Sequence, residues 1–388
     1  MKRLFVYLLL SGVFSACGSN ATYVDDSIVA EKCNIDRVLD NDDFDITDLI
    51  DSVRIIRLET TDGSVLSTFR KCVVSDDFIY ILDNYKGGGV AVFDVSGKFV
   101  RRIPTGNGPG ELAGPNNIAF DSSKNELLVC QNVIVNKYTP DGIYISSHKA
   151  SQPLSQLVPY KNGYLAVQNE YCNSENRFAF LVLDSVFNDV DTYYFNEQIC
   201  DIFSEYISES SEGEIKISRP LVDKIYKYTD GKVVVDKTLE YPDNKLDLSD
   251  MDWQNVSRYI NKIRESKNKF CLMSYCATDN YEYYKFYRGH MNANVFYNKT
   301  TKKYRSGYYI DNFESINNVG DLLGTTYNEF FISTINPGAN DYYFNNREKI
   351  IEYNQHLLND DEIAMLRELK EDHNPLLVLY SLKDIADE

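Results

Sequence analysis

Four segments of the chain carry one pattern at a constant spacing of 45 residues. Each reads as alternating apolar residues, then an aromatic residue or Leu, then a small polar turn residue. They are VAVFD with Phe93-Asp94, VNKYT with Tyr138-Thr139, FLVLD with Leu183-Asp184 and IYKYT with Tyr228-Thr229. Two more copies, NVFYN with Phe296 and LVLYS with Tyr380, follow at intervals of 68 and 84 residues. A period of this length marks units that cannot bury their apolar faces alone and must stack on their neighbours.

Each unit contains several short strands. The first offers Lys71–Ser75, Phe78–Asp83, Gly89–Asp94 and Lys98–Ile103, separated by Asp76-Asp77, Gly87-Gly88 and Ser96-Gly97. The second offers Asn117–Asp121, Glu126–Gln131, Val133–Tyr138 and Ile143–His148, with Asp141-Gly142 as its last turn. An aromatic share of 13%, with 30 Tyr and 20 Phe, suits strands. Four strands in about 45 residues describe one blade of a β-propeller. Six copies predict an all-β, six-bladed β-propeller with four-stranded blades. Such a ring must close on itself. Ile50–Thr60 and Asn374–Lys383 both read as strands, so they are expected to pair, the N-terminal one outermost in the last blade.

The two long intervals hold helix-like insertions. Residues 249–266 read SDMDWQNVSRYINKIRES, where Ser249 can cap and Met251, Val256, Tyr259, Ile260 and Ile263 share a face. Residues 360–371 read DDEIAMLRELKE, with Ile363, Leu366 and Leu369 spaced by three.

The N-terminus reads as an address. Lys2 and Arg3 precede an apolar run from Leu4 to Leu10, and Phe14-Ser15-Ala16 leads into Cys17. The run is too short for a permanent membrane span. Small residues before a cysteine resemble the lipobox of bacterial lipoproteins, which implies cleavage after residue 16 and acylation of Cys17. Several acyl chains on one residue make a stable anchor. Residues 17–45, polar and rich in Asp, are expected to be a tether, with the propeller over 46–388. The expected location is the cell envelope, on a membrane. Seven scattered cysteines besides Cys17, with no CxxC, fit core positions better than a redox or zinc motif. Cys271 and Cys276 are near enough in sequence to form a pair, though strand geometry favours separate thiols.

RIIRLET, YILD, VFDVSGKFVRRI, GNGPGEL and EDHNPLLVLYSLK together resemble a family of Gram-negative bacterial lipoproteins. These are six-bladed propellers similar to NHL-repeat and TolB-like propellers. The resemblance covers roughly residues 45–385 and implies fold and location more than chemistry. Its most specific run is Gly106-Asn107-Gly108-Pro109-Gly110-Glu111, and this chain departs from the family pattern at Asn107 and Leu112.

Chemical motifs are sparse. None of His148, His290, His356 and His373 stands in a zinc-binding spacing, and no GxSxG or Walker pattern occurs. No cofactor is expected. Asp40–Asp43 and Asp360-Asp361-Glu362 could suit calcium by type, but read first as a solvated linker and a helix start. The aromatic stretch Tyr281–Tyr287 reads as packing between blades. A net charge of −18 excludes a nucleic-acid partner. Topology supplies the candidate site. Strands alternate in direction, so the loop between second and third strands shares a ring face with the connections between blades. Asn84, Glu111, Gln131, Asn132, Asn169 and Glu170 are expected to gather there as a ligand mouth. The expected role is a binding module for a glycan, a peptide or an envelope protein. Two alternatives stand: a propeller-type lyase or hydrolase with a dispersed active site in the central channel, and a structural subunit of an envelope complex.

Overall fold

The computed structural model describes residues 20–39, 46–67, 69–83, 88–168, 178–195, 205–210, 213–249, 256–266, 269–289, 291–307, 321–337 and 341–383. Six sheets, each with four antiparallel strands, stand around one axis as a six-bladed β-propeller. Blade one is Lys71–Val74, Phe78–Asp83, Gly89–Asp94 and Phe99–Ile103, from the axis outward. Blade two is Asn117–Asp121, Glu126–Gln131, Ile134–Tyr138 and Tyr144–Lys149. The expected strands of both units lie within a residue of these bounds. The inner strands of blades three to six are Gln156–Tyr160, Ile207–Glu209, Cys271–Ala277 and Asp321–Tyr327.

The repeated residues Phe93, Tyr138, Leu183, Tyr228, Phe296 and Tyr380 all lie in third strands. In the first three units the polar residue that follows organises the turn to the outer strand. Asp94 accepts from the backbone N–H of Ser96 and Lys98, Asp184 from Val186 and Asn188, and Thr139 from Ile143. Partial burial opposes ionisation of Asp94 and Asp184, but hydrogen bonds from the Ser96 hydroxyl and the Asn188 side-chain amide, with those backbone groups, hold both carboxyls below their ordinary value. Three residues further on the backbone is left-handed at Gly97, Gly142 and Phe187. Gly97 is required twice over. Its φ is +87°, and a Cβ would stand 2.1 Å from the Arg57 carbonyl oxygen.

Both faces of each blade are covered by neighbours, so strands such as Phe78–Asp83 read as continuous apolar runs. Six apolar clusters fill the six gaps. One joins Ile79, Ile81, Ala91 and Phe93 of blade one to Ile332, Leu377 and Leu379 of blade six. The tyrosine-rich strand follows suit: Tyr283 faces blade six, while Tyr284 and Phe286 face blade four.

The ring closes as expected. Ile50–Arg57 is the outermost strand of blade six and pairs antiparallel with Leu376–Leu382. The helix at Asp360–Glu368 begins with a capping box between Asn359 and Glu362, so the acidic cluster there is a helix start. Glu362 also accepts the Ile55 N–H at 3.0 Å, which ties the helix to the closing strand. A second helix, Asp341–Asn354, was not expected, and packs Tyr343, Ile350 and Ile351 against Leu366 and Leu369. Val256–Glu265 forms a helix before blade five, within the insertion expected over 249–266; residues 250–255 lie outside the described residues. The described cysteines, Cys271 and Cys276 included, are buried and free.

The stretch expected to be a tether is largely folded. Asn20–Tyr23 adds to the outer strand of blade three, and Val29–Asn34 to that of blade four, both in parallel. Val24, Cys33, Ile35 and Leu39 are buried there. An outer strand needs only a few inward apolar groups, so its composition stays polar enough to pass for a linker. Asp40–Asp43 and Cys17 lie outside the described residues.

Candidate functional site in the central channel

The six inner strands all run the same way along the axis. Their starts lie on the face that carries the connections between blades, and their ends on the face of the tight turns. Between them, blades one, two, three, four and six line a cavity of about 580 Å³.

One end of the cavity is closed by a buried polar network. Lys71 starts blade one, and Glu205 stands just ahead of blade four, directly across a six-bladed ring. Lys71 Nζ lies 2.8 Å from Glu205 Oε2, with the two side chains 6% and 8% exposed. Gln156 of blade three donates to the same carboxylate oxygen at 2.8 Å. Its own Oε1 accepts the N–H groups of Tyr206 and Ile207 at 2.7 and 2.9 Å. Asn117 of blade two lies 3.5 Å from Lys71 Nζ and accepts the Leu157 N–H at 3.4 Å. Four blades therefore meet in one hydrogen-bonded floor, and the lysine charge is matched within it.

The other end opens among Ser75, Asp76, Asp77, Ser122, Asn125, Ser210 and Asn328. Tyr327 donates to Asp76 at 2.9 Å, linking blade six to blade one. Phe78, Phe120 and Tyr327 supply apolar surface, and Phe120 stacks on Tyr80 at 5.5 Å. Glu209 enters from blade four. Its side chain is exposed toward the channel, yet the blades packed around it desolvate the carboxyl and push it up to about 7. With Lys71 matched by Glu205, the lining carries Asp76, Asp77 and Glu209 as its unbalanced charges. Among the described residues, no histidine or arginine borders the cavity, and no three His, Cys, Asp or Glu side chains gather to hold a metal.

Of the six residues expected from sequence, the three described ones, Glu111, Gln131 and Asn132, do not border this cavity. Glu111 turns back into its own loop, where its carboxylate accepts the Gly108 N–H at 2.8 Å. A Cβ on Gly106 would stand 2.0 Å from that carboxylate, so the glycine run is shaped around it. Gln131 accepts the Ala113 N–H, and the Asn132 carbonyl accepts the Leu154 N–H. These three sit together beside the links between blades and hold loops in place. None borders the cavity. Asn84, Asn169 and Glu170 lie outside the described residues. The channel residues were missed because Lys71, Gln156 and Glu209 read as ordinary strand positions. Only a polar residue on a strand whose neighbours are all inter-blade packing hints at an axis-facing position.

A family model described as a domain of unknown function, DUF4934, matches residues 30–381. The chain belongs to this family. Within known structures, the ring is similar to a Bacteroides fragilis protein described as a candidate exported protein. The TM-score is 0.70 at 18% identity, covering 94% of this chain and all of that one. That likeness confirms the six-bladed architecture of this DUF4934 member. A luciferin-regenerating enzyme aligns more loosely, with a TM-score of 0.44 at 8% identity over 86% of this chain and 98% of that one. Virginiamycin B lyase from Staphylococcus aureus gives 0.37 at 12% identity over 66% and 73%. At that distance neither enzyme's chemistry transfers. A search of curated proteins finds no match to the chain. No helix among the described residues is long and apolar enough to cross a membrane.

Proposed function

We propose that this chain is an exported lipoprotein, fixed to an envelope membrane through Cys17, whose channel captures a small polar ligand. The supporting observation is the cavity itself: a matched Lys71–Glu205 floor below a mouth whose unbalanced charges are carboxylates. Such a mouth favours a ligand bearing positive charge, such as the basic end of a peptide, or a hydroxyl-rich one, such as a glycan. It disfavours anionic polymers. Serine and amide groups supply hydrogen bonds, and Phe78, Phe120 and Tyr327 offer the apolar contact that a small-molecule site also needs. The test is calorimetric titration of the mature chain with oligosaccharides and short basic peptides. Saturable binding that Glu209→Gln and Asp77→Asn weaken supports the reading. Binding that neither substitution changes, or none across the panel, defeats it.

A further inference from the structure

We infer that the outer rim of blades two and three is a bilayer-contacting edge, so that the propeller is mounted against the membrane and not suspended from it. The inference rests on the reading that Cys17 is acylated. Only Gly18 and Ser19 separate Cys17 from Asn20. Asn20 opens the strand paired with Asp189–Tyr194, the outer strand of blade three. Three residue steps span at most about 10 Å. An acylated Cys17 therefore holds this rim within that distance of the lipid.

The surface of the same rim points the same way. Among the described residues, nine large apolar side chains are exposed, and six of them lie here. Tyr23 is on the added strand. Val186 and Val190 are on the last turn and outer strand of blade three. Ile143, just ahead of the outer strand of blade two, and Tyr144 and Ile145, which begin it, lie at the end of that strand nearest blade one. The two blades join along this edge: the His148 ring, at the other end of that strand, lies 5.6 Å from Phe187 beside Val186. The remaining large apolar groups include Ile28, in the next loop of the same N-terminal segment, and Val65 and Val100.

The rim is not basic. Asp184, Asp189 and Asp191 border it, and Ser151 and Gln152 both donate to Asp189. Attraction to anionic lipid is therefore excluded as the cause of contact. The apolar groups and the short link are what remain, and contact should be insensitive to salt.

The test uses the full acylated protein, purified from membranes and reconstituted into phosphatidylcholine vesicles with brominated acyl chains. Trp253→Phe removes the one native tryptophan. Ile145→Trp and Val186→Trp then report on the rim. Gln355→Trp reports on the exposed turn that follows the helix Asp341–Asn354 beside blade six, which stands opposite blade three. Quenching several-fold stronger at the two rim positions than at 355, at low and high salt alike, is the expected result. Equal quenching at all three positions, or none at the rim, overturns the inference when mass spectrometry shows acyl chains on Cys17. A mature protein without them overturns the anchor reading, and the mount with it.

Discussion

Lys71→Met offers the sharpest test of how the ring is held at its axis. The substitution keeps the length of the side chain and removes its charge. Glu205 then keeps its hydrogen bond from Gln156 but loses the matching charge. Both partners of the original pair are under a tenth exposed, so water does little to compensate. Removing one partner of such a pair costs about 3–5 kcal/mol. With roughly 2.1 cal/mol/K of unfolding entropy per residue, 388 residues give about 0.8 kcal/mol/K, so ~4 kcal/mol lowers Tm by about 5 °C. Glu205→Leu alone should cost a comparable amount. The double variant should regain most of the loss, because a desolvated ion pair is close to neutral against apolar groups of similar size. Urea unfolding followed by tyrosine fluorescence and circular dichroism gives the four corners of the cycle, with the midpoint shifting at constant slope. If both single variants stay within about 1 kcal/mol of wild type, the pair is not desolvated, and the floor described here is wrong.

Three other outcomes follow from the same geometry. Deleting Asn374–Glu388 should leave no folded ring: it removes Leu376, Leu377, Val378, Leu379 and Tyr380, all buried. At roughly 1.5–3 kcal/mol each, their loss matches a total stability of about 5–15 kcal/mol; a truncated chain melting at the wild-type temperature refutes closure by this strand. Gly97→Ala should destabilise by more than about 1 kcal/mol. Gly231→Ala, also left-handed but with nothing within 4 Å, should cost less, and equal melting points would deny the contact with Arg57. Glu209, raised to about 7 by desolvation, adds stability that is fully present below the unfolded carboxyl range and lost as pH rises through 7. Glu209→Gln should flatten that part of the stability profile between pH 5 and 8, and an NMR titration of the carboxyl near 4 would contradict it.

The blades were legible because their chemistry is local and repeated. Phe93, Tyr138, Leu183 and Tyr228 recur because every third strand ends at the same kind of turn, and the polar residue after each of the first three caps it. Closure was legible because two unmatched apolar strands at opposite ends of a ring have one place to go. The helix Asp341–Asn354 was not, since paired tyrosines and asparagines give it weak helical propensity, and burial of Tyr343 and Ile350 overrides that. The N-terminal strands hid among the acidic residues that flank them. The described half of the expected site falls outside the cavity for a different reason. Polar residues at loop tips announce themselves in sequence, and here Glu111 and Gln131 spend their polarity on neighbouring backbone. Lys71, Gln156 and Glu205 converge only once blades one, three and four stand around an axis, across sequence separations that no periodicity encodes.

The pairing of Ile50–Arg57 with Leu376–Leu382 also sets an order of events during biosynthesis. The strand that seals the ring emerges from the ribosome among the first, and its partner among the last. A nascent chain that has reached residue 335 holds Phe330–Ile335 and Ile50–Arg57 as two strands with open edges and nothing between them. Such edges pair readily with other chains. A product stalled before Leu376–Leu382 therefore keeps two adhesive edges that only the synthesis of that strand can cover.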